Sequence, residues 1–466
     1  MQRKHKRIIE TIQDQVRQYY VDKKPFRIYH GSSNSTRVLD FNRSEMVDTS
    51  QLNSVLSINI TNKTAIVEPN VPMDKLVNAT LKKGLIPPVV TEFPGITVGG
   101  AIQGAAIETS SHTWGCFSQT TNWIEMILGD GKRVVVSPKK NADLYYGAAG
   151  SYGSLGVIAS TEINLISAKK YVNITHHPVT SFEEALKVAD KYAKESADFV
   201  ECLMFSRNKG SIIIGELSDT PVGSKQRFTR PFDPWYYLYA EKTSRSNTVE
   251  THAVPLKDYL FRYNRGAFWG GKLAFDHFGI KFTALSRFIL DPLLRTRKLY
   301  KALQESAAAQ EYICQDIVLP RKSVVPFMNY VDKEFNMYPM VFCLIKPEPR
   351  SPLLPNGIKT EMTYNVGVYG LRVTPYQKFV EKNKEIEKKT RELGGKKWFY
   401  AHSYYTENNF WKIYDKKWYD NLRKKYHATT LPNIYERTRV KEHKNVNQKR
   451  ALVRTILGGS KVRISK

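Results

Sequence analysis

The sequence predicts an α+β protein built from two folded domains, and three observations support this prediction. Segments typical of strands and helices alternate through the first part of the chain, which favours a mixed architecture. The 466 residues are enough for two or three domains, at a prior of about 150 residues per domain. Long helical patterns and aromatic clusters become frequent after Lys170, so we place the main boundary near residues 168–175.

The first predicted element is an amphipathic helix within residues 1–23. Its apolar side chains recur three and four residues apart, and they are Ile8, Ile9, Ile12, Val16 and Tyr19. Lys4, Lys6 and Arg7 lie near its start, so an anionic membrane surface is one partner that the helix could have. Packing of its apolar side against the core of the protein is the favoured interpretation.

Residues 24–170 are predicted to form the first domain, in which short strands and a helix follow one another. In chain order the elements are a strand at Arg27–Tyr29, a polar turn at 30–36, a strand at 65–69, a helix at 73–83 and a hairpin of 124–128 with 133–136. Asp130 and Gly131 supply the turn of that hairpin. Gly153–Ile158 is predicted to be framed by a pair of strands that continues to Ile166.

Residues 171–440 are predicted to form the second domain, which is rich in aromatic residues. The proline-rich segment 347–356 is predicted to be a loop of this domain. The remaining residues, 441–466, contain eight lysines and arginines and a single acid, Glu442. A charge run of this kind is typical of a solvated tail, and a membrane-binding or nucleic-acid-binding arm is the alternative.

The composition excludes several classes of protein. Hydrophobic residues make up 41% of the chain, which is too many for a disordered segment. The four cysteines, which are Cys116, Cys202, Cys314 and Cys343, are too few and too far apart for a disulfide framework or a metal clip. No apolar run reaches the ~18 residues of a membrane span, and the charged start does not match a signal peptide. We therefore expect a protein that is not secreted and lies in the cytoplasm or peripherally on an intracellular membrane.

Two glycine-containing segments are candidates for binding a phosphate or a ring system. Thr97–Gly104 places three glycines where backbone can approach a ligand closely, but its spacing does not match the dinucleotide fingerprint G-x-G-x-x-G. Gly31–Thr36 combines amides and hydroxyl groups, as an anion-binding nest does. Taken alone, the first segment is more often a packing turn, and the second is equally typical of a plain loop.

Together with Gly153–Ile158, these segments resemble the flavin domain of the vanillyl-alcohol oxidase and p-cresol methylhydroxylase (PCMH) type. The resemblance implies that the first loop wraps the pyrophosphate of FAD, that the second segment lines the flavin and that the third presents its backbone to the cofactor. The implied FAD-binding residues are Gly31, Ser32, Ser33, Asn34, Ser35, Thr36, Thr97, Val98, Gly99, Gly100, Gly104, Gly156, Val157 and Ile158.

A narrower resemblance is to the flavoprotein Δ24-sterol reductases, the Diminuto type. It rests on segments in the same order along the chain, namely residues 92–100, 108–115, 167–172, 336–339, 400–404, 409–411 and 422–426. The similarity runs from about Lys24 to about Arg439. It implies a PCMH-type FAD-binding domain of two subdomains, a mixed α/β substrate (cap) domain, and NADPH as the electron donor.

The chain departs from the family pattern at two points. The membrane-embedded members carry an N-terminal transmembrane helix that has no counterpart here, which makes membrane anchoring and a sterol substrate less secure expectations. Many relatives also tether FAD through a histidine of the first loop, and the alignment puts Ser33 at that place. We therefore expect FAD to be bound without a covalent link, although His30 is close enough in sequence for a shifted alignment to change this.

Reduction of an alkene by a reduced flavin needs a general acid that faces the cofactor. His112 is the first candidate because it follows the flavin segment closely, with a structural histidine as the equal alternative. Glu108 qualifies if it is buried and protonated, and Glu201 is a lone acid among apolar strand residues. Tyr404, His402 and Glu407 form a polar group of the second domain, where core packing is the alternative role.

Three functions are compared. The leading hypothesis is NADPH-driven reduction of a carbon–carbon double bond in a sterol-like or other small hydrophobic substrate by an FAD enzyme. The second keeps FAD but oxidises an alcohol or a sugar lactone with oxygen. The third is a basic surface-binding protein on an inactive flavin scaffold, suggested by the net charge of +27. The sequence contains no motif that reads nucleic acid, so a nucleic-acid partner is not expected, and it does not indicate the oligomeric state.

Overall fold

Two large β-sheets organise the molecule, one formed by residues before position 170 and one by residues after it. We refer to these two parts of the chain as the first half and the second half. The computed structural model describes residues 2–31, 34–37, 42, 45–195, 197–246, 248–306, 308–358 and 362–440. Helices and antiparallel strands are mixed in both halves, so the prediction of an α+β protein is confirmed. The predicted basic tail, residues 441–466, lies outside the described residues.

The strands of the first half are β1 (Arg27–Tyr29), β2 (Met46–Asp48), β3 (Val55–Asn59), β4 (Thr64–Val67), β5 (Leu85–Ile86), β6 (Thr121–Ile127), β7 (Arg133–Val136), β8 (Val157–Asn164) and β9 (Ile166–Ser167). Five of them form an antiparallel sheet with the strand order β3-β4-β8-β6-β7. Its helices are α1 (Gln2–Val21), α2 (Met73–Leu81), α3 (Val98–Gln103), α4 (Ser111–Trp114) and α5 (Ala142–Ala148). Strands β1 and β2 pair in parallel, and β5 pairs with β9.

Most of the predicted elements of this half are present. The hairpin is confirmed, since Ile124 of β6 pairs with Val136 of β7. The prediction that a strand lies on each side of Gly153–Ile158 is wrong for the preceding side. Helix α5 precedes the segment and only β8 follows it, because Leu144, Tyr145 and Ala148 form a buried helical face that the sequence analysis did not consider.

Helix α1 packs on the protein with its apolar side. Ile9, Ile12 and Val16 are at most 1% exposed and contact a cluster that includes Val157 of β8 and Leu431 near the end of the described chain. This confirms the core-packing interpretation. A membrane contact of α1 would lack an apolar surface, because that surface is already covered by the protein.

The second half is built on an eight-stranded sheet with the order β13-β10-β12-β11-β15-β16-β14-β17, in which neighbouring strands are antiparallel. Its strands are β10 (Tyr171–Val179), β11 (Phe199–Ser206), β12 (Lys209–Ser218), β13 (Glu250–Pro255), β14 (Tyr312–Pro320), β15 (Met340–Ile345), β16 (Thr363–Arg372) and β17 (Lys396–Lys397). Its helices are α6 (Phe182–Lys194), α7 (Tyr236–Thr243), α8 (Leu256–Leu260), α9 (Gly270–His277), α10 (Ala284–Leu290), α11 (Thr296–Ser306), α12 (Arg321–Phe335), α13 (Tyr376–Glu392), α14 (Glu407–Ile413), α15 (Lys416–Lys425) and α16 (Ile434–Thr438).

The two faces of this sheet pack on different partners. Helices α6, α12 and α13 cover one face, where alternate residues such as Ile313 and Ile317 of β14 form a separate core. The residues between them point to the opposite face, towards the first half of the chain. Because side chains alternate along a strand, Glu201 shares this second face with Phe199 and Leu203, whose side chains belong to a core cluster formed by residues of both halves.

The last helices return to the first half. The hydroxyl group of Tyr419 in α15 donates to Ser154 Oγ at 2.7 Å, and Arg423 Nη1 donates to the carbonyl oxygen of Ser154 at 2.8 Å. Helix α16 follows and carries Arg437. The sheet of the second half and the returning helices thereby enclose one region of the first half from two sides.

Candidate active site

A cavity of about 550 Å³ lies between the first half of the chain and the inner face of the eight-stranded sheet. The first half contributes the loop Asn34–Arg37, part of the segment 97–109, and the start of β8. The second half contributes residues 267–278, the end of α11 and the inner residues of β14, β15 and β16. The wall therefore combines backbone-rich segments on one side with aromatic and apolar side chains on the other.

The glycine segment forms part of the wall because its backbone packs closely on the loop before α2. Thr97 caps helix α3 by accepting a hydrogen bond from the backbone N–H of Gly100 at 3.2 Å. The N–H of Gly99 donates to the carbonyl oxygen of Pro69 at 2.7 Å, and a Cβ on Gly99 would lie only 2.8 Å from Pro69 Cβ. Glycine is therefore required at position 99 for the segment to line the cavity.

The first loop is fixed to the segment that follows β17. Ser35 Oγ donates to the carbonyl oxygen of Tyr400 at 2.6 Å, and Arg37 Nε donates to that of Phe399 at 2.6 Å. Gln304 of α11 donates from its amide nitrogen to the carbonyl oxygens of Ser35 and Arg37. The loop is thus held by contacts more than 250 residues away in sequence.

One end of the cavity is cationic. Arg27, Arg37, His30 and Arg437 line it, and in the described part of the chain the three guanidinium groups form no ion pair with a carboxylate. Burial lowers the pKa of Arg437 to about 9, helped by the charges of Arg27 and Arg37, and burial lowers the pKa of His30 to about 4. Arg437 Nε and Nη1 and His30 Nδ1 are buried without a hydrogen-bond partner. The three arginines, which lack an ion pair among the described residues, fit the diphosphate of FAD.

Most of the predicted FAD-binding residues line this cavity. Those that do so are Asn34, Ser35, Thr36, Thr97, Gly99, Gly100, Gly104, Val157 and Ile158. Gly31, Val98 and Gly156 are next to lining residues but are not part of the wall, and the carbonyl oxygen of Gly156 accepts a hydrogen bond from Gln103. Ser32 and Ser33 lie outside the described residues.

A cluster of carboxyl groups around one buried arginine lies in another part of the wall. Arg262 Nη2 donates to Glu108 Oε1 at 2.7 Å, and Arg262 Nε lies 3.6 Å from Glu201 Oε2. The hydroxyl groups of Tyr263 and Tyr236 donate to Glu201 at 2.7 and 3.1 Å. Arg262 is 1% exposed, and its guanidinium carbon lies 4.4 Å from the centre of the Tyr259 ring. The arginine is held as a buried cation between two acids.

Glu92 completes this cluster, and its pKa is raised well above the ordinary value of 4.5. Burial is the main cause, the charge of Glu108 adds to it, and Arg262 opposes it. A hydrogen bond joins Glu92 to Glu108, whose buried Oε2 receives no donor from an N–H or hydroxyl group. The raised pKa favours the protonated form of Glu92, whose proton would supply the missing donor, and Glu92 lines the cavity.

Asp316 of β14 is a further acid in the wall. Its carboxylate accepts hydrogen bonds from Tyr400 at 2.6 Å, Tyr369 at 2.7 Å and Asn365 at 2.8 Å. Burial raises its pKa, while these three hydrogen bonds oppose the shift. The thiol of Cys343 is within electrostatic reach of Asp316 and of the three glutamates, so all four acids surround the same region of the cavity.

The structure brings only some of the predicted catalytic residues to the cavity. Glu108 and Glu201 are in its wall, and His112 is not. His112 Nδ1 and Nε2 lie 3.0 and 2.7 Å from the backbone carbonyl oxygens of Thr109 and Ala197, and burial lowers its pKa. This geometry matches the structural alternative for His112.

The polar group of the second half does not reach the cavity either. His402 and Tyr404 stack on one another and contact Phe379 of α13, on the helix-covered face of the sheet. Burial lowers the pKa of His402 to about 3. Glu407 is exposed in the first turn of α14. None of these three residues is part of the wall of the cavity.

Sequence reasoning missed Glu92, Arg262, Asp316 and the cationic group. Glu92 had a local signal, because it is a single acid in the apolar stretch from Val89 to Phe93. Asp316 had a similar one, as a charged residue within the strand pattern of β14. Arg262 and Arg437 had none, because their positions depend on the docking of distant segments.

The chain is similar in sequence to several known proteins. A family model described as an FAD binding domain matches residues 7–137. The Δ24-sterol reductase of Mus musculus is 28% identical over 452 residues, which cover 93% of this chain and 86% of that protein. The Δ24-sterol reductase of Homo sapiens is 28% identical over 449 residues, with the same coverage. That of Arabidopsis thaliana is 30% identical over 443 residues, covering 86% of this chain and 78% of that protein.

Proposed function

Because the chain belongs to the Δ24-sterol reductase family of FAD-binding oxidoreductases, we propose that it reduces a carbon–carbon double bond in a sterol or a similar hydrophobic molecule, with NADPH as the electron donor. The observation that carries the proposal is the position of Glu92 in the wall of the cavity beside Glu108, where its pKa is raised. NADPH is proposed from the family resemblance.

FAD is proposed to bind along the first loop, the glycine segment and the start of β8. The guanidinium groups of Arg37 and Arg437 would hold its diphosphate, and the backbone of Gly99 and Gly100 would lie against the cofactor. We propose that the attachment is not covalent. When bound, FAD supplies a hydride to one carbon of the double bond.

The chain itself has to supply a proton to the other carbon. Glu92 holds a transferable proton at neutral pH because burial and the neighbouring Glu108 disfavour its ionised form. Once Glu92 has given up that proton, Arg262 is the nearby cation that stabilises the additional negative charge. Glu108 and Arg262 are thus positioning residues, and Glu92 is the proposed general acid.

The rest of the wall supports an apolar substrate. Phe93, Phe268, Leu273, Leu303 and Val341 line the cavity and offer aromatic and aliphatic surface. A ring system with few polar groups gains from contact with such a surface. Glu92, Glu108, Glu201 and Asp316 are the acids of this wall.

The proposal is tested with the absorbance spectrum of the purified protein. We expect flavin absorbance that anaerobic NADPH bleaches and that a sterol with a Δ24 double bond restores, with the saturated sterol as the control. Bleaching by a polyol, followed by peroxide on admission of air, would support the oxidase alternative instead. A colourless protein that FAD does not reconstitute would refute the proposed function.

A further inference from the structure

Five large apolar side chains form an exposed surface beside the cavity, on and before helix α10. We refer to this surface as the α10 platform. Its members are Phe278 (46% exposed), Ile280 (41%), Leu285 (68%), Phe288 (50%) and Ile289 (64%). Soluble proteins rarely expose so many large apolar side chains in one place unless the surface has a partner.

Helix α10 presents these side chains in a defined orientation. Its N-terminus is fixed by a capping box, in which Thr283 Oγ1 accepts from the N–H of Ser286 at 3.1 Å. Leu285, Phe288 and Ile289 follow the i, i+3, i+4 spacing and share one side of the helix. No residue of α10 is buried, although Leu290 contacts the main core. The apolar side of the helix therefore points to solvent.

The platform is continuous with the wall of the cavity. Phe278 is part of that wall and is also a member of the platform. His277, Ala274 and Leu273 of α9 line the cavity in the preceding turns. An apolar molecule that crosses the platform at Phe278 thus reaches the cavity along apolar surface.

The charges around the platform are cationic. Lys281 is exposed between Ile280 and α10, and the Arg287 guanidinium carbon lies 4.8 Å from the centre of the Phe282 ring. The nearby acids are already neutralised, since Asp276 pairs with Lys272 at 2.7 Å. Asp291 pairs with Arg265 and with Arg295.

A second segment near α10 also exposes an apolar side chain. Phe232 is 67% exposed and lies under the guanidinium group of Arg230. Arg265 connects this segment to α10, because it donates to the carbonyl oxygen of Pro231 at 2.6 Å and to Asp291 Oδ1 at 2.6 Å. Apolar side chains next to lysine and arginine are the combination that interfacial segments use on anionic lipid.

We propose that the α10 platform docks on the surface of an anionic phospholipid bilayer and that the apolar substrate enters the cavity past Phe278. The docking stands on the exposed side chains and the surrounding cations, whereas the entry of substrate rests on the proposed function. The platform is a different surface from α1, whose apolar side is covered. No helix among the described residues is long and apolar enough to cross a bilayer.

The test is sedimentation of the full chain with vesicles made of equal parts phosphatidylcholine and phosphatidylserine. The variant replaces Leu285, Phe288 and Ile289 by serine. Its matched control replaces Val21, Ile60 and Val135 by serine, which removes three exposed apolar side chains from the first half of the chain. Flavin absorbance and the thermal midpoint are measured for all three proteins, so that a misfolded variant is recognised.

We expect the wild-type protein to bind, and the platform variant to partition at least about tenfold more weakly, because each methylene withdrawn from the bilayer contributes to binding. The control should stay within about twofold of wild type, because it leaves every side chain of the platform in place. Replacing phosphatidylserine by phosphatidylcholine should weaken wild-type binding by about fivefold for each cation that contacts the surface. Equal binding of the platform variant and wild type, or no binding of wild type, would overturn the proposal.

Two further measurements separate the other outcomes. If sedimentation velocity shows wild type as a dimer and the platform variant as a monomer, a second copy of the chain covers the platform and the proposal is wrong. Turnover is then compared for sterol in vesicles and sterol held in cyclodextrin. If the platform variant loses turnover of sterol in vesicles but keeps turnover of sterol in cyclodextrin, the result supports entry of the substrate past the platform. Absence of wild-type turnover in both presentations contradicts the proposed function and leaves the vesicle-binding result to decide the platform.

Discussion

Replacing Glu92 by glutamine tests whether its carboxyl group delivers the proton. The amide has nearly the same shape, and its N–H group can still donate to Glu108 Oε2, which has no other donor. The buried pair of Glu108 and Arg262 therefore keeps its surroundings. We expect the stability of Glu92→Gln to remain within about 1 kcal/mol of wild type, because the hydrogen bond is replaced rather than lost.

The expected effect on the chemistry is much larger. A positioned general acid contributes about 10²–10⁴ to a rate, and an amide cannot replace it. Such a loss corresponds to about 2.7–5.4 kcal/mol in the activation free energy. It should appear only in the half-reaction that reduces the alkene, since hydride transfer from NADPH does not use the proton of Glu92.

Stopped-flow absorbance separates the two half-reactions. Flavin bleaching by NADPH should be unchanged in Glu92→Gln, whereas the return of absorbance on addition of the alkene should slow by the factor above. Asp316→Asn is the matched comparison, because Asp316 is the other acid of the wall that has a raised pKa and lies outside the Arg262 cluster. Normal alkene reduction by Glu92→Gln together with a slow Asp316→Asn would refute the assignment and transfer the role to Asp316.

The dependence on pH supplies an independent check. Because the raised pKa keeps Glu92 protonated, alkene reduction by wild type should remain fast above pH 4.5 and fall only as the pH passes the pKa in the folded protein. The contribution of the same proton to stability is present below the pKa of the unfolded chain and is lost as the pH rises through the folded value. Glu92→Gln should lose both dependences.

Three other predictions follow from the site. Arg437→Met should weaken FAD binding by about 10- to 100-fold, which corresponds to the loss of one charge-assisted hydrogen bond. A fluorescence titration of the apoprotein with FAD measures this. Arg439 is exposed, so the control variant Arg439→Met should bind FAD as wild type does. Arg262→Met should lower the free energy of unfolding in urea by about 3–5 kcal/mol, because it leaves Glu108 as an unpaired buried charge, and the added change Glu108→Gln should restore part of it. Acid precipitation of the wild-type protein should leave the flavin in the supernatant. If the flavin stays in the pellet of wild type but is found in the supernatant of His30→Ala, His30 is a covalent attachment point.

The sequence predicts the parts of the site that depend on local chemistry. In the segment 97–104, glycine is required at position 99 because its backbone packs against Pro69. The alternation of side chains along β11 likewise indicates that Glu201 faces inward with Phe199 and Leu203. For Glu201, a few consecutive residues contain the physical reason, whereas the requirement for glycine at position 99 also involves Pro69.

Short distance in sequence was misleading where a turn of helix redirects the side chain. His112 follows the glycine segment by a few residues, but helix α4 turns its ring towards the carbonyl oxygens of Thr109 and Ala197. His402 and Tyr404 are close in sequence to Tyr400, which is in the wall of the cavity. His402 and Tyr404 instead contact Phe379 of α13.

The acid proposed for catalysis exists only because the two halves of the chain are docked. Glu92 and Glu108 belong to the first half, while Arg262 and Glu201 belong to the second. Burial is the main cause of the raised pKa of Glu92, and the cavity that Glu92 lines has walls from both halves. Water between them would return this carboxyl group towards its ordinary pKa, and it would then be ionised at neutral pH. The same contact that closes the cavity around an apolar substrate therefore also keeps the proton on Glu92, so the acid is ready only where the substrate is enclosed.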